Sequence, residues 1–415
     1  MILGIDVGGT HTDGVLVKKE NTNSQMVYKI DSTNKVVTDH DNLKKSIIKV
    51  LDNLTETIDN KEIERIVLST TLVTNVIYEE KYDPVGMILI PGPGLNPEYL
   101  KYGEENIILD GYVDHRGKEV KTISKKEIKN ALNKLKNKGI NKVAVVGKFS
   151  IRNPIQEQKV KKVIEKEKYD FEILTLGHKL SGNLNFNRRI ITAYYNTAVS
   201  DIHHDFISSI ERTLKKRNIN SDIYLLKCDG GTISLNKSRE IPIKTVNSGP
   251  AASIMGTMVL NKNKKTGVAL DIGGTTTDIG LLIKGEPAFM PKGIKINGYP
   301  SLIRGLYSVS IPVGGDSEVY VENRKIKVGP QRKGPAAALG GSSPTPTDAL
   351  LVLEEIKKDK NYSFEYNIEK AKSSLLSLIE KLDNDSNFDI KTIAEIIVEK
   401  VSEKIKSSII NILDT

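Results

Sequence analysis

One pattern of eight residues occurs twice in this chain. Asp6-x-Gly8-Gly9-Thr10-x-Thr12-Asp13 returns as Asp271-x-Gly273-Gly274-Thr275-x-Thr277-Asp278, with all six specified positions the same in identity and spacing. Each copy sits between apolar runs: Ile2, Leu3 and Ile5 before the first and Val15-Leu16-Val17 after it, VAL before the second and IGLLI after it. Both copies therefore read as tight turns between two strands. Paired glycines allow positive φ and leave no Cβ in the way, so backbone N–H groups can approach an anion closely. Threonine hydroxyls add donors. An aspartate at the strand end is badly placed beside a phosphate unless a cation stands between them, and Mg²⁺, which keeps waters and bridges to phosphate oxygens, resolves that conflict. A single glycine-rich turn is more often a plain hairpin. Two matching copies point to phosphate binding.

The rest of the composition narrows the class. At roughly 100–200 residues per domain, 415 residues suggest two or three domains. With 38% hydrophobic and 27% charged residues the balance is globular. No apolar run approaches the roughly 18–20 residues of a membrane span, and MILGIDVGGT lacks a basic n-region and a cleavage site. The single cysteine, Cys228, excludes an internal disulfide framework and a cysteine-built zinc site. Together these features favour a cytoplasmic protein that meets no membrane. The net charge of +9 invites a nucleic-acid reading, but only 11 of the 61 basic residues are Arg, the Lys are spread over helix-like stretches, and Trp is absent. A solvated Lys-rich surface without nucleic-acid binding is the reading adopted.

Strands alternate with helices through the first half. A strand is expected at 26–31, a helix at 41–54, strands at 66–68, 85–90, 143–149 and 171–177, and helices after Ser124 and after Pro154. Ser124 and Glu127 form a capping box. This alternation predicts an α/β fold with a largely buried sheet. Further on, a long helix is expected over 186–217, a strand at 223–228, a small-residue helix at 249–258, and a helix-rich tail from Thr347 with one apolar face at Leu350, Leu351, Leu353 and Ile356. The expected division is 1–180, carrying the first loop, and 181–415, carrying the second, with the C-terminal helices packing back on the first domain.

Other candidates each carry a plain structural reading. Gly314-Gly315, ahead of Asp316 and Ser317, suits close passage under an adenosine or a simple turn. Thr347 or Asp348 suits a helix cap. His11 suits a substrate-side contact or a satisfied structural histidine. Asp229 and Ser248 suit a cleft wall, or a turn and a cap. Arg188 and Arg189 read as surface or tethering residues and Cys228 as a buried thiol. His203 and His204 are adjacent on a helix and point apart, so they make no metal pair.

The double DxGGTxTD resembles the actin-like ATPase superfamily, and within it the chain resembles the hydantoinase/oxoprolinase family. The likeness also runs through STTLVTNVI (69–77), SIRNP (150–154), NRRIITAYYNTAV (187–199), CDGGT (228–232), NSGPAASIMG (247–256), VGP (328–330) and SPTPTDALLVL (343–353), in the family's order. His11 stands where many members carry an aromatic. The resemblance implies two duplicated ribonuclease-H-like domains with ATP and Mg²⁺ in a cleft between them. It also implies ATP-driven hydrolysis of a cyclic amide of hydantoin or 5-oxoproline type through a phosphorylated carbonyl, with a second hydantoinase-type subunit or a homo-oligomer as partner. On that reading Asp6 and Asp271 face the metal. Gly8, Gly9, Thr10, Thr12, Gly273, Gly274, Thr275, Thr276 and Thr277 hold phosphates, and Gly314 and Gly315 meet the adenosine. Asp13 or Asp278 is the catalytic base or the group that organises it. Alternatives are a small-molecule kinase, an ATP-dependent ketone carboxylase subunit and a non-enzymatic actin-like switch. An iron–sulfur activator ranks last, since one cysteine per chain gives two thiolates per dimer where a cluster needs four.

Overall fold

The computed structural model describes residues 1–22, 25–39, 42–56, 58–261, 264–354, 365–382 and 388–414. The chain forms two compact units that interleave along the sequence. One contains Met1–Ser69, Gly249–Ala288 and Leu306–Thr415, and the other contains Thr70–Ser248 and Phe289–Gly305.

In the first unit, strands Ile2–Val7 and His11–Thr22 form an antiparallel hairpin. Gln25–Val37 pairs with its second strand and Arg65–Thr70 flanks its first. Helix Leu43–Thr55 begins at Asn42, whose side chain accepts from the Lys45 N–H, and it buries Ile47, Val50, Leu51 and Leu54. Residue 41, the expected helix start, lies outside the described residues, as does Ile356. The second hairpin joins Gly267–Ile272 to Thr277–Ile283, and Ser308–Ile311 extends it along the Thr277–Gly280 edge. A third cluster closes the unit. Hairpin Val319–Glu322/Lys325–Val328 packs through Val319, Ile326 and Val328 against helices Pro346–Val352, Ile368–Ile379 and Ile390–Leu413. The first of these is capped by Thr345, and Asp348 closes the capping box, so the cap falls two residues before Thr347.

The second unit is built on a parallel sheet ordered 173–176, 142–147, 85–90, 105–108. The two central strands, Val85–Ile90 and Lys142–Gly147, are buried at every position, as continuous apolar runs in an α/β sheet should be. Their residues alternate between faces. Met87, Leu89, Ala144 and Val146 pack with helices Leu72–Tyr78 and Phe186–Lys216, while Ile88, Ile90, Val143 and Val145 pack with helices Lys125–Asn137 and Ile155–Lys166. The Ser124–Glu127 capping box is present. Elements not expected include helix Leu72–Tyr78, too short to show a helical period, and strand Glu105–Ile108, half-buried throughout and so lacking a continuous apolar run. Among the described residues no helix is long and apolar enough to cross a membrane.

The long helix carries a buried titratable group. His203 is fully buried, and its Nε2 lies 3.0 Å from Ser238 Oγ. That hydroxyl donates to the Leu235 carbonyl, so it accepts from Nε2–H and leaves Nδ1 bare. Burial, with His204 and Arg239 adding to it, pushes His203 down from 6.5 to about 3. Between those values the unfolded chain binds the proton and the folded chain does not, so this residue's stabilisation is complete above pH 6.5 and is lost as pH falls. Lowering pH from 7 to 5 is expected to cost about 2 kcal/mol through this one group. In urea unfolding at both pH values, His203→Gln should flatten that loss, and an unchanged pH slope in the variant would contradict the assignment.

Candidate functional site

The two hairpins turn in the same way. Asp6 pairs with Asp13 and Val7 with Thr12 across the first; Asp271 pairs with Asp278 and Ile272 with Thr277 across the second. Each turn is closed by the first glycine, with Gly8 N–H donating to the His11 carbonyl at 3.0 Å and Gly273 N–H donating to the Thr276 carbonyl at 2.9 Å. None of the four loop glycines uses the positive φ that glycine allows. What the second loop needs from glycine is space. A Cβ at Gly274 would stand 2.7 Å from Thr10 Oγ1 of the first loop and 2.6 Å from Asp316 Oδ2. The two tips therefore meet within one unit, with Asp316 beside them.

Neighbouring segments hold the loops by their carbonyls. Thr12 Oγ1 lies 3.0 Å from Thr38 Oγ1, which donates to the Gly8 carbonyl, and Thr38 N–H donates to the Thr10 carbonyl. Gly315 N–H and Asp316 N–H donate to the carbonyls of Gly273 and Gly274 at 2.8 and 2.7 Å. Thr347 then holds Gly315 through its own N–H and hydroxyl. Thr277 Oγ1 donates to the Val313 carbonyl at 2.7 Å. Thr12 and Thr277 are fully buried, so their hydroxyls brace the loops from inside. The N–H groups of Gly9, Thr10, Gly274 and Thr275 have no hydrogen-bond partner among the described residues. Four free donors on two touching tips leave main-chain N–H groups available to an anion.

The carboxylates complete the picture. Asp6 Oδ1 is buried and has no hydrogen-bond partner among the described residues. Burial raises the Asp6 pKa, and Asp13 and Asp271 raise it further against a hydrogen bond from Ser69. Ser253, on helix Ser248–Leu260, donates to Asp271 Oδ2. Asp278 is pushed up to about 6, first by burial and then by Asp271, against a hydrogen bond from Ser310. Asp316 is raised by burial against its 2.9 Å ion pair with Arg332. Asp13 differs, being held by Lys35 at 2.9 Å. His11 is pushed down to about 4, mainly by burial and then by Lys35, so it is neutral at pH 7. An unpartnered buried carboxylate oxygen, on a group whose pKa a second carboxylate raises, is a donor that fits a divalent cation. No three His, Cys, Asp or Glu side chains are placed to hold a metal ion together among the described residues. A cation held by Asp6 and Asp271 would therefore complete its shell with water and ligand oxygens, as Mg²⁺ does.

Sequence reasoning missed Thr38, Ser253, Asp316 and Arg332. Only the position of Asp316, directly after Gly314-Gly315, offered a signal. The remaining candidates lie in the second unit and take structural roles there. Asp229 pairs with Lys227 and accepts the Gly231 N–H. Ser248 Oγ donates to the Thr70 carbonyl. Arg189 donates to the carbonyls of Gly177, Ser181 and Asn183. The buried Cys228 thiol is pushed up to about 12 by burial. His204 meets the Arg239 carbonyl, apart from the His203–Ser238 pair.

Family models match nearly the whole of this arrangement. The hydantoinase/oxoprolinase N-terminal region matches residues 2–168, and the hydantoinase/oxoprolinase model matches 189–415. The chain belongs to the hydantoinase/oxoprolinase family. Its curated relatives include the acetophenone carboxylase gamma subunit of Aromatoleum aromaticum, 24% identical over 72% of this chain and 42% of the relative. They also include the caprolactamase subunit alpha of Pseudomonas jessenii, 23% identical over 85% of this chain and 54% of the relative. Among solved structures, nucleotide-free acetone carboxylase superposes with a TM-score of 0.77 at 18% identity, covering 100% of this chain and 63% of that one. The ATP-dependent caprolactamase of P. jessenii gives 0.73 at 20% identity, covering 97% of this chain and 61% of that one. The fold is thus the mixed α/β fold of this family. The chain spans about half the length of these curated relatives.

The loop geometry separates two glycines experimentally. A Cβ at Gly314 would stand 2.5 Å from the Gly273 carbonyl oxygen, whereas one at Gly9 would meet nothing within 4 Å. Gly314→Ala should cost about 1–3 kcal/mol in urea unfolding, and Gly9→Ala should stay within about 0.5 kcal/mol of the parent. Equal costs would contradict the tight seating of residue 314.

Proposed function

We propose that the protein uses ATP to activate a carbonyl oxygen of a cyclic amide of hydantoin or 5-oxoproline type. The carrying observation is the meeting of the Thr10 and Gly274 tips beside Asp6 and Asp271. In this reading the free N–H groups of Gly9, Thr10, Gly274 and Thr275 bind phosphate oxygens, with Gly8, Thr12, Gly273, Thr276 and Thr277 shaping the two turns. Asp6 and Asp271 hold Mg²⁺, directly or through water. The metal's contribution is to neutralise charge on the phosphates. Gly314 and Gly315 sit under the adenosine. We further propose that 1–180 and 181–415 are two ribonuclease-H-like repeats, and that the chain works in the cytoplasm beside a second hydantoinase-type subunit or a further copy of itself.

An amide carbon resists water because its leaving group is poor. Breaking the bond from the γ-phosphorus to the ADP oxygen while forming one to the carbonyl oxygen makes that carbon electrophilic. Addition of water, cleavage of the ring C–N bond with a proton passing to nitrogen, and hydrolysis of the resulting acyl phosphate give the open-chain acid, ADP and phosphate. Between the two candidate bases, Asp278 is favoured. Asp13 is committed to Lys35, whereas Asp278 has no basic partner among the described residues, and burial weakens its acidity toward the range useful for proton transfer.

A second reading is a ketone carboxylase subunit, favoured by the acetophenone carboxylase relative and the acetone carboxylase superposition. It shares the phosphorylation step and differs in the fate of the phosphorylated species. Incubation with Mg·ATP and 5-oxoproline, hydantoins, or ketones plus bicarbonate, with and without a hydantoinase-type partner subunit, separates the outcomes. Free phosphate with a ring-opened acid supports hydrolysis, a carboxylated ketone supports the second reading, and a stable phosphoester supports a kinase. Asp278→Asn should lower turnover by about a hundredfold or more while retaining Mg·ATP binding. No detectable Mg·ATP binding by the wild-type chain would reject all three.

A further inference from the structure

The second unit holds a depression that none of these roles uses. Its volume is about 390 Å³, within the usual range of small-molecule sites, and it opens at the first turn of the Phe186–Lys216 helix. Tyr99, Tyr102 and Tyr299 supply aromatic wall, and Ile190 and Ile191 supply aliphatic wall. Tyr102 is fixed on several sides. Its ring meets those of Tyr194 and Tyr299 edge to face, each with centroids 4.9 Å apart, and its hydroxyl lies 2.6 Å from that of Tyr195. This wall is set before any ligand arrives, which lowers the ordering cost of binding. Tyr99 is 86% exposed and Tyr299 is 50% exposed. Tyr99 and Tyr299 thus leave aromatic surface uncovered at one depression, in a chain with only 5% aromatic residues.

The charge at the rim has one sign. Arg188 and Lys101 both line the depression, and no carboxylate does. Lys101 is already paired with Glu98 at 2.7 Å. Arg188 instead donates through Nη1 to the Lys292 carbonyl at 2.6 Å, a neutral acceptor. Its charge has no carboxylate partner among the described residues, and the carbonyl fixes where the guanidinium stands. A cation inside the aromatic wall would meet repulsion from the Arg188 guanidinium, so the aromatic-cage reading is disfavoured.

We propose that this depression binds a small organic carboxylate with a planar apolar body, its ring against Tyr102 and Tyr299 and its carboxylate on Arg188. The site lies wholly in the second unit and stands or falls apart from the nucleotide reading. Titration calorimetry on the full chain tests it with three probes of one shape: phenylacetate, phenylacetamide and phenethylammonium. Phenylacetate should saturate one site per chain, and the neutral amide should bind at least about tenfold more weakly. Arg188→Met should lose a similar factor and Arg188→Lys should recover part of it. Tyr299→Ala should weaken phenylacetate while lowering the melting temperature by only about 2–4 °C, the loss of one half-exposed edge-to-face contact. The proposal is overturned if phenylacetate does not saturate, or if the amide or the ammonium binds as tightly. Folded Arg188 and Tyr299 variants that bind phenylacetate like the parent would also overturn it.

Discussion

Carboxylates do not settle close together in a protein interior without something positive to stand between them. Asp6 and Asp271 end the first strands of two matching hairpins, and Asp6 keeps a buried oxygen that no protein group among the described residues satisfies. The structure around them maintains this tension. Thr38 takes the carbonyls of the first loop, and Gly315 and Asp316 take those of the second. With the carbonyls of Gly8, Thr10, Gly273 and Gly274 occupied, the N–H groups of Gly9, Thr10, Gly274 and Thr275 are left as donors that attract anions. Acidic groups and free amide donors on the same pair of hairpins would suit a cation and phosphate oxygens taken up together.

The repeat is symmetric in sequence and unequal in chemistry. Thr12 and Thr277 occupy equivalent positions and both are buried, yet one meets the hydroxyl of Thr38 and the other a main-chain carbonyl. Asp13 and Asp278 are likewise equivalent. A lysine from the adjacent strand holds Asp13, while Ser310 is the polar neighbour of Asp278. The strand added beside each hairpin, Gln25–Val37 in one case and Ser308–Ile311 in the other, makes this difference. On the proposed reading the duplicated loops supply one common grip, and their unlike neighbours supply the distinct carboxyl that the chemistry needs.

Much of this was legible in the chain itself. The two loops, their strand–turn–strand setting, the capping box at Ser124 and the long helix from residue 186 all depend on local patterns, and local patterns are what a sequence displays. Which property of the loop glycines matters was not legible, because the turn signature is the same whether glycine is needed for its backbone freedom or for its missing side chain. At Gly274 the second reason decides, since the atoms that exclude a Cβ belong to Thr10 and Asp316, both distant in the chain. Asp316 and Arg332 went unassigned for the same reason: their roles exist only once remote segments meet. The cap before the last helices was misplaced by two residues because Ser, Pro, Thr and Asp crowd that stretch and only the fold shows that Thr345 faces the Asp348 N–H.

The central claim is that Asp6 and Asp271 act on one shared cation. A double-mutant cycle on Mg·ATP affinity addresses it, using Asp6→Asn, Asp271→Asn and the pair, measured by titration calorimetry at fixed Mg²⁺. Groups that serve one bound ion are coupled, so the double variant should bind only slightly more weakly than either single one, with an interaction energy of about 1 kcal/mol or more. Losses that simply add would mean the two carboxylates act independently, and the account of a joint site would be wrong.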